Sequence, residues 1–202
     1  MTALLDIRGL VVEFDTPEGV VKAVNGLDVR IGEGETLAIV GESGAGKTQL
    51  MLAVLGLLAE NGQAHGEALY RGRDMMQMSP HELNGVRGSH IAMIFQDPMT
   101  SLNPYLTIEQ QMVEVAKALL HEADIIIMDE PTAALSPREI ADLFTIVNEL
   151  KGHGVSTIFI SHHLDEAFEL SDRTTVLRDG QLVSTQPTSE LNTASLIQLM
   201  VG

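Results

Sequence analysis

The chain has 202 residues, of which 45% are hydrophobic and none is cysteine, so it can form one cored domain but neither disulfides nor thiolate metal sites. Its formal net charge of −16 disfavours nucleic acid as the main partner, because binding to a phosphate backbone needs a basic surface. The longest apolar run, residues 50–59, is too short to span a bilayer, and no export signal opens the chain, so we expect a soluble protein on the cytoplasmic side.

The first part of the chain predicts short strands followed by a strand, a loop and a helix. Strands at 4–14, 20–24 and 27–31 are separated by turn residues, a spacing typical of a small antiparallel sheet. A wholly apolar strand at 36–40 ends in a glycine-rich loop, after which a buried helix is predicted over 47–58.

The remaining chain predicts apolar strands that alternate with helices. Strands are predicted at 91–95, 125–128 and 157–160, and a two-residue hairpin turn at Asp179-Gly180. Helices are predicted to begin at the Ser-Pro-x-Glu capping boxes of Ser79 and Ser136, near Ile108 and near Ser195. This alternation is typical of a mainly parallel sheet with helices on both faces.

The sharpest motif is GESGAGKT at residues 41–48, which has the G-x-x-x-x-G-K-[ST] pattern of a phosphate-binding loop. Glycines let the backbone turn several N–H groups toward a chain of phosphates above a helix N-terminus. Lys47 is predicted to reach the β- and γ-phosphates, and the Thr48 hydroxyl to ligate Mg²⁺. The predicted phosphate-binding residues are Gly41, Glu42, Ser43, Gly44, Ala45, Gly46, Lys47 and Thr48.

A second element predicts carboxylates beside this loop. The apolar run 125–128 leads into Asp129 and Glu130, and the carboxyl ends of parallel strands meet at one edge of a sheet. Asp129 is predicted to hold Mg²⁺ through water, and Glu130 to polarise an attacking water. Taken alone, the same pattern also fits a strand that ends in two solvated acids.

Together these residues resemble the ATP-binding cassette (ABC) ATPases, the motor subunits of membrane transporters, over nearly the whole chain. The resemblance implies that ATP is bound at the loop and that Phe14 stacks on its adenine. It further implies that Gln96 senses the γ-phosphate and joins the Mg²⁺ site, and that His162 is the switch histidine that acts with Glu130 and Gln96 in catalysis. His163 is adjacent, and His162 is preferred because it directly follows Ser161, as in the family pattern.

The resemblance divides between two branches of the family. Residues 1–106 resemble the peptide and nickel importers, whereas residues 108–202 resemble the monosaccharide importers. Nothing matches the LSGGQ-type signature, and the 33 positions from Gln96 to Asp129 are too few for the helical subdomain that carries it. Ser136 also stands where many members have aspartate. We therefore predict impaired turnover and weak dimerisation.

The sequence thus predicts a single ABC-type nucleotide-binding domain over residues 1–202. The expected fold is a P-loop α/β fold whose mainly parallel sheet is flanked by helices, with a small N-terminal antiparallel β-lobe and a helical subdomain largely missing near 106–109. The resemblance implies an importer ATPase using ATP and Mg²⁺, peripheral on the cytoplasmic membrane face, with permease subunits and a second nucleotide-binding subunit as partners. Peptide import is the first choice. The alternatives are monosaccharide import, a nucleotide-binding module with little or no hydrolysis, and a cassette protein without a transport role.

Overall fold

The computed structural model describes residues 3–95 and 123–202, which form two sheets and five α-helices. The strands in chain order are Leu5–Thr16 (β1), Gly19–Ile31 (β2), Thr36–Val40 (β3), Gly62–Tyr70 (β4), Arg73–Asp74 (β5), Ile91–Ile94 (β6), Ile125–Asp129 (β7), Ser156–Ser161 (β8), Arg173–Arg178 (β9) and Gln181–Pro187 (β10). The α-helices of this part of the chain are Lys47–Val54 (α1), Pro80–Val86 (α2), Pro137–Gly152 (α3), Leu164–Leu170 (α4) and Thr193–Val201 (α5).

The two sheets differ in strand direction. The four-stranded sheet has the order β2-β1-β4-β5 and is antiparallel throughout. The six-stranded sheet has the order β10-β9-β3-β8-β7-β6, and its neighbours are parallel except for the β9–β10 hairpin. The predicted fold class, a mainly parallel sheet with helices and an N-terminal antiparallel lobe, is confirmed.

One hydrophobic core joins the two sheets through α1. Leu50 and Met51 of this helix share a core with Leu10 of the antiparallel sheet and with Ile39 and Ile158 of the parallel sheet. Helices α3, α4 and α5 cover the other face of the parallel sheet. Because both faces are covered, the strands β3, β6, β7 and β8 are largely apolar along their whole length. The core therefore fixes α1, and with it the loop that precedes it, at the carboxyl end of β3.

Helix α1 is shorter than the prediction of 47–58, because a Schellman motif ends it after Val54. Gly56 has a φ of +60°, and its N–H donates to the carbonyl of Ala53. The N–H of Leu57 donates to the carbonyl of Leu52 at 2.8 Å. These two bonds satisfy carbonyls at the helix end, and glycine adopts the left-handed conformation at little cost.

The two strands predicted at 20–24 and 27–31 are one strand, β2, with a bulge. Leu10 pairs with Leu27 but Val11 pairs with Asn25, so Gly26 is an extra residue in β2. Its φ of +73° is typical of a bulge glycine. The turn residues that suggested a break in the strand therefore bend it without ending it.

Other predicted elements are observed close to their expected places, including the capped starts of α2 and α3. Strand β4 and helix α4 were not predicted, since β4 reads GQAHGEALY and has no clean alternation of apolar residues. The helix predicted near Ile108 lies outside the described residues. Within the described ranges, no helix is long and apolar enough to cross a membrane.

Candidate functional site

The phosphate-loop motif connects β3 to α1, and two neighbouring backbone segments press against it. A Cβ atom at Gly41 would lie 2.3 Å from the carbonyl oxygen of Leu177 in β9. A Cβ atom at Gly46, whose φ is +92°, would lie 2.3 Å from the carbonyl oxygen of Ala23 in β2. Both positions therefore require glycine, because side chains there would push the two sheets away from the loop.

Lys47, the first residue of α1, has a buried side chain that lies inside the loop. Its Nζ donates to the carbonyl oxygens of Gly41 at 2.8 Å and Glu42 at 3.0 Å. Burial lowers the pKa of Lys47, while the carboxylates of Glu130 and Asp129 act in the opposite direction. The carbonyl oxygens of the loop thus hold Nζ of Lys47 at the position where the motif needs it.

The next residue joins the loop to β7. The hydroxyl of Thr48 donates to Oδ2 of Asp129 at 2.8 Å. Asp129 is 1% exposed, and burial raises its pKa; the carboxylate of Glu130 adds to the rise, whereas Thr48 and Lys47 oppose it. Among the residues that the structure describes, none makes a hydrogen bond to Oδ1 of Asp129, which is buried.

These atoms fit a hard divalent cation. A hydroxyl and a carboxylate are the oxygen ligands that Mg²⁺ takes in nucleotide-binding sites. Oδ1 of Asp129 is a buried acceptor without a donor among residues 3–95 and 123–202, and such an atom costs free energy unless water or a cation satisfies it. The described part of the chain holds no cluster of three or more acidic, histidine or cysteine side chains, so a cation here would draw its other ligands from water and phosphate.

Glu130 follows β7 in a left-handed conformation with a φ of +46°. Its N–H donates to the carbonyl of Ile160 in β8 at 2.9 Å, which ties it to the strand that leads into His162. Oε2 of Glu130 lies 3.2 Å from Nδ1 of His162, with side-chain exposures of 14% and 46%. A carboxylate and an imidazole in this contact can hold or pass a proton.

The loop and Glu130 line a cavity of about 300 Å³. Its described lining residues are Ala23, Ser43, Gly44, Ala45, Gly46, Lys47, Thr48, Gln49 and Glu130. Ala23 and Gln49 were not singled out from the sequence. Ala23 contributes its backbone at the loop, so the identity of its side chain could not have revealed it in the sequence. Gln49 directly follows the motif. The structure therefore gathers the loop, Asp129, Glu130 and His162 into one site.

Two other predicted residues are not confirmed at this cavity. Phe14 pairs with Val21 and Gly62, and its ring packs on Gly62, where an added Cβ would lie 2.7 Å from Cε1. Phe14 is not among the described lining residues, so its adenine contact stays a prediction. Gln96 lies outside the described residues, and its roles also stay predictions.

Comparisons with known proteins identify the family to which this chain is similar. The ABC transporter family profile matches residues 24–111. The oligopeptide transport ATP-binding protein OppD of Haemophilus influenzae is 36% identical over 90% of the chain and 72% of that protein. The ribose import ATP-binding protein RbsA of Burkholderia mallei is 36% identical over the whole chain, which spans 47% of that protein.

A solved structure shows the same fold. The ADP conformation of MJ1267, an ATP-binding cassette of an ABC transporter, superposes with a TM-score of 0.78 over the full length of both chains at 22% identity. The alignment with the ribose protein takes 247 positions although the chain has 202 residues, which leaves about 45 positions of that relative without a counterpart.

Proposed function

The chain belongs to the ABC transporter family of ATP-binding proteins, and on that basis we propose that it is the ATP-hydrolysing subunit of an importer that carries peptides. The observation that carries the proposal is the contact of Thr48 with Asp129 beside the buried Lys47. This contact joins the two motifs that a nucleotide-hydrolysing site of this family needs, and it leaves one buried carboxylate oxygen available to a cation.

The geometry supports a division of roles. Lys47 binds the β- and γ-phosphates together with the loop N–H groups. Thr48 and Asp129 would hold Mg²⁺, which would supply positive charge to the phosphate oxygens. Glu130 orients and polarises the attacking water, and His162 contacts the Glu130 carboxylate through Nδ1. Phosphoryl transfer depends on positioning and charge, so the fixed contacts of the loop contribute directly to the rate.

The choice of peptides rests on one segment of sequence. The stretch IAMIFQDPMTSLNP around Gln96 resembles the peptide importers, and in the family this segment meets the permease. Identity does not separate the two substrate classes, since the peptide and ribose relatives are both 36% identical. Monosaccharide import is therefore the second candidate, favoured by the resemblance of residues 108–202.

We propose permease subunits and a second nucleotide-binding subunit as partners, with the chain peripheral on the cytoplasmic face of the membrane. We also propose slow turnover. The chain has no LSGGQ-type sequence, and the roughly 45 unmatched positions of the ribose relative support the loss of a subdomain. In the family, that signature contacts the γ-phosphate held by the opposite subunit. Removing even one donor of this kind at other enzyme sites costs about 10²–10³ in rate. The extreme form of this proposal is a module that binds nucleotide without hydrolysis.

Titration calorimetry with ATP, with and without Mg²⁺, and a steady-state hydrolysis assay test the proposal. Lys47→Ala should abolish binding, and Lys22→Ala, at an exposed lysine of β2, is the matched control. A parent protein that binds no ATP, or a Lys47→Ala variant that binds as tightly as the parent, would contradict the proposed function. Binding without turnover would instead favour the non-hydrolysing module.

A further inference from the structure

Ser161, the last residue of β8, makes two hydrogen bonds at the turn into α4. Its hydroxyl accepts from the N–H of His163 at 2.9 Å and donates to Oε2 of Glu166 at 2.5 Å. Ser161 is 1% exposed and Glu166 is 7% exposed. A hydroxyl has one proton and two lone pairs, so the carboxylate of Glu166 sets the direction of the proton and leaves a lone pair for the His163 amide.

His162 lies between these two anchored residues. Ser161 pairs with Val40 in the β3–β8 ladder, and His163 is held through its amide. The rings of His162 and His163 are 4.1 Å apart, with 38° between their planes. Since almost half of the His162 side chain is exposed, burial does not fix its ring. The ring depends on the backbone of this turn and on its neighbour for its position.

We propose that Glu166 is a positioning residue, which acts through the Ser161 hydroxyl to hold His162 against Glu130. Without the carboxylate, the buried hydroxyl loses its acceptor and turns toward another one, which releases the amide of His163. The turn then no longer fixes the 3.2 Å contact between Nδ1 of His162 and Oε2 of Glu130. The catalytic meaning of this contact rests on the proposed function, but the contact itself can be measured without hydrolysis.

The test follows the ring signal of His162 by proton–carbon NMR in the nucleotide-free protein, assigned by its loss in His162→Ala. In the parent, Glu130→Gln should shift this signal because it changes the group beside the ring. In a Glu166→Met background the same substitution should leave the signal in place. In a Glu166→Gln background the response should return, since the amide oxygen can accept from Ser161.

Glu169→Met is the matched control, because it makes the same change at an exposed position of the same helix. An equal response in Glu166→Met and Glu169→Met would overturn the proposal, as would a parent signal that Glu130→Gln does not move. If circular dichroism shows that Glu166→Met is unfolded, Ser161→Ala removes the link and should suppress the response in the same way.

Hydrolysis gives a second measurement. Glu166→Met should lower kcat by about 10–100-fold at unchanged KM, since a small misplacement of a catalytic group costs that much. It should cause no further loss in a His162→Ala background, whereas losses that add would contradict positioning through His162. The ATP titration of the parent separates the two hypotheses: absence of binding would overturn the proposed function, and the NMR response would still decide the role of Glu166.

Discussion

Replacing Asp129 by asparagine should raise the thermal stability of the metal-free protein and reduce the effect of Mg²⁺ on ATP binding. The carboxylate is buried, Oδ1 has no hydrogen-bond partner among the described residues, and burial raises its pKa. A raised folded-state pKa means that the ionised form is less favourable in the folded protein than in the unfolded chain. Asp129→Asn removes that charge, so the metal-free variant should be more stable than the parent at neutral pH.

The magnitude follows from the buried charge, because the asparagine amide fills the same place without it. An incompletely paired buried polar group costs about 1–3 kcal/mol, and more when it is charged, so we take this range for the charge that asparagine removes. In a chain of this size each kcal/mol corresponds to about 2–4 °C, so the melting temperature should rise by about 2–12 °C. The destabilisation by the buried charge of Asp129 is absent below the ordinary pKa of 3.8, where the carboxyl group is neutral in the folded and unfolded states. It develops as the pH rises through the raised folded-state pKa. The advantage of the variant should therefore be larger at about pH 7 than at about pH 4.

Thermal melts with a chelator, with Mg²⁺, and with Mg²⁺ and ATP measure both effects. The parent should gain about 2.7 kcal/mol from ATP at a hundredfold excess over Kd, and most of this gain should need Mg²⁺. Asp129→Asn should retain little of the Mg²⁺-dependent part, because the amide is a weaker ligand than the carboxylate. Asp142→Asn, at an exposed position of α3, is the control and should resemble the parent. A metal-free Asp129→Asn variant that melts below the parent, or one with the full Mg²⁺ effect, would refute this reasoning.

Glu130→Gln should bind ATP as the parent does but lose most of its hydrolysis activity. The amide keeps the size of the side chain but cannot accept a proton from water. Turnover at the parental rate would exclude the role of Glu130 as base. Light scattering of the same variant with ATP should show at most a weak dimer, because the signature is missing, and a clear ATP-dependent dimer would contradict this. Gly44 has a φ of +83°, and no atom of the described residues lies within 4 Å of an added Cβ. Gly44→Ala should therefore lower the free energy of unfolding, measured by thermal melts, by about 1–2 kcal/mol. Gly46→Ala should lower the free energy of unfolding by about 1–3 kcal/mol more than Gly44→Ala, because its Cβ would meet the carbonyl of Ala23. It should also abolish ATP binding. Equal melting temperatures of the two variants would show that the contact with Ala23 is relieved at little cost.

The sequence alone was sufficient for features encoded in adjacent residues. The motif at 41–48, the apolar run before Asp129 and the capping boxes of Ser79 and Ser136 each depend on local chemistry, and the structure has them where they were expected. The parallel sheet was predictable for a related reason, since strands covered on both faces are predominantly apolar. Helix α1 ended early because its C-terminal bonds involve Gly56, whose conformation the apolar pattern does not report.

Tertiary structure decided what depends on residues far apart in the chain. Glycine is required at position 46 because β2 brings the carbonyl of Ala23 against it, a contact that no local pattern encodes. The link from Glu166 through Ser161 to the turn of His162 likewise exists only because β8 and α4 bury both side chains at one place. Local patterns fix which chemical groups are available, whereas packing between separate elements fixes their distances, burial and charge environment, and these determine what the groups can do.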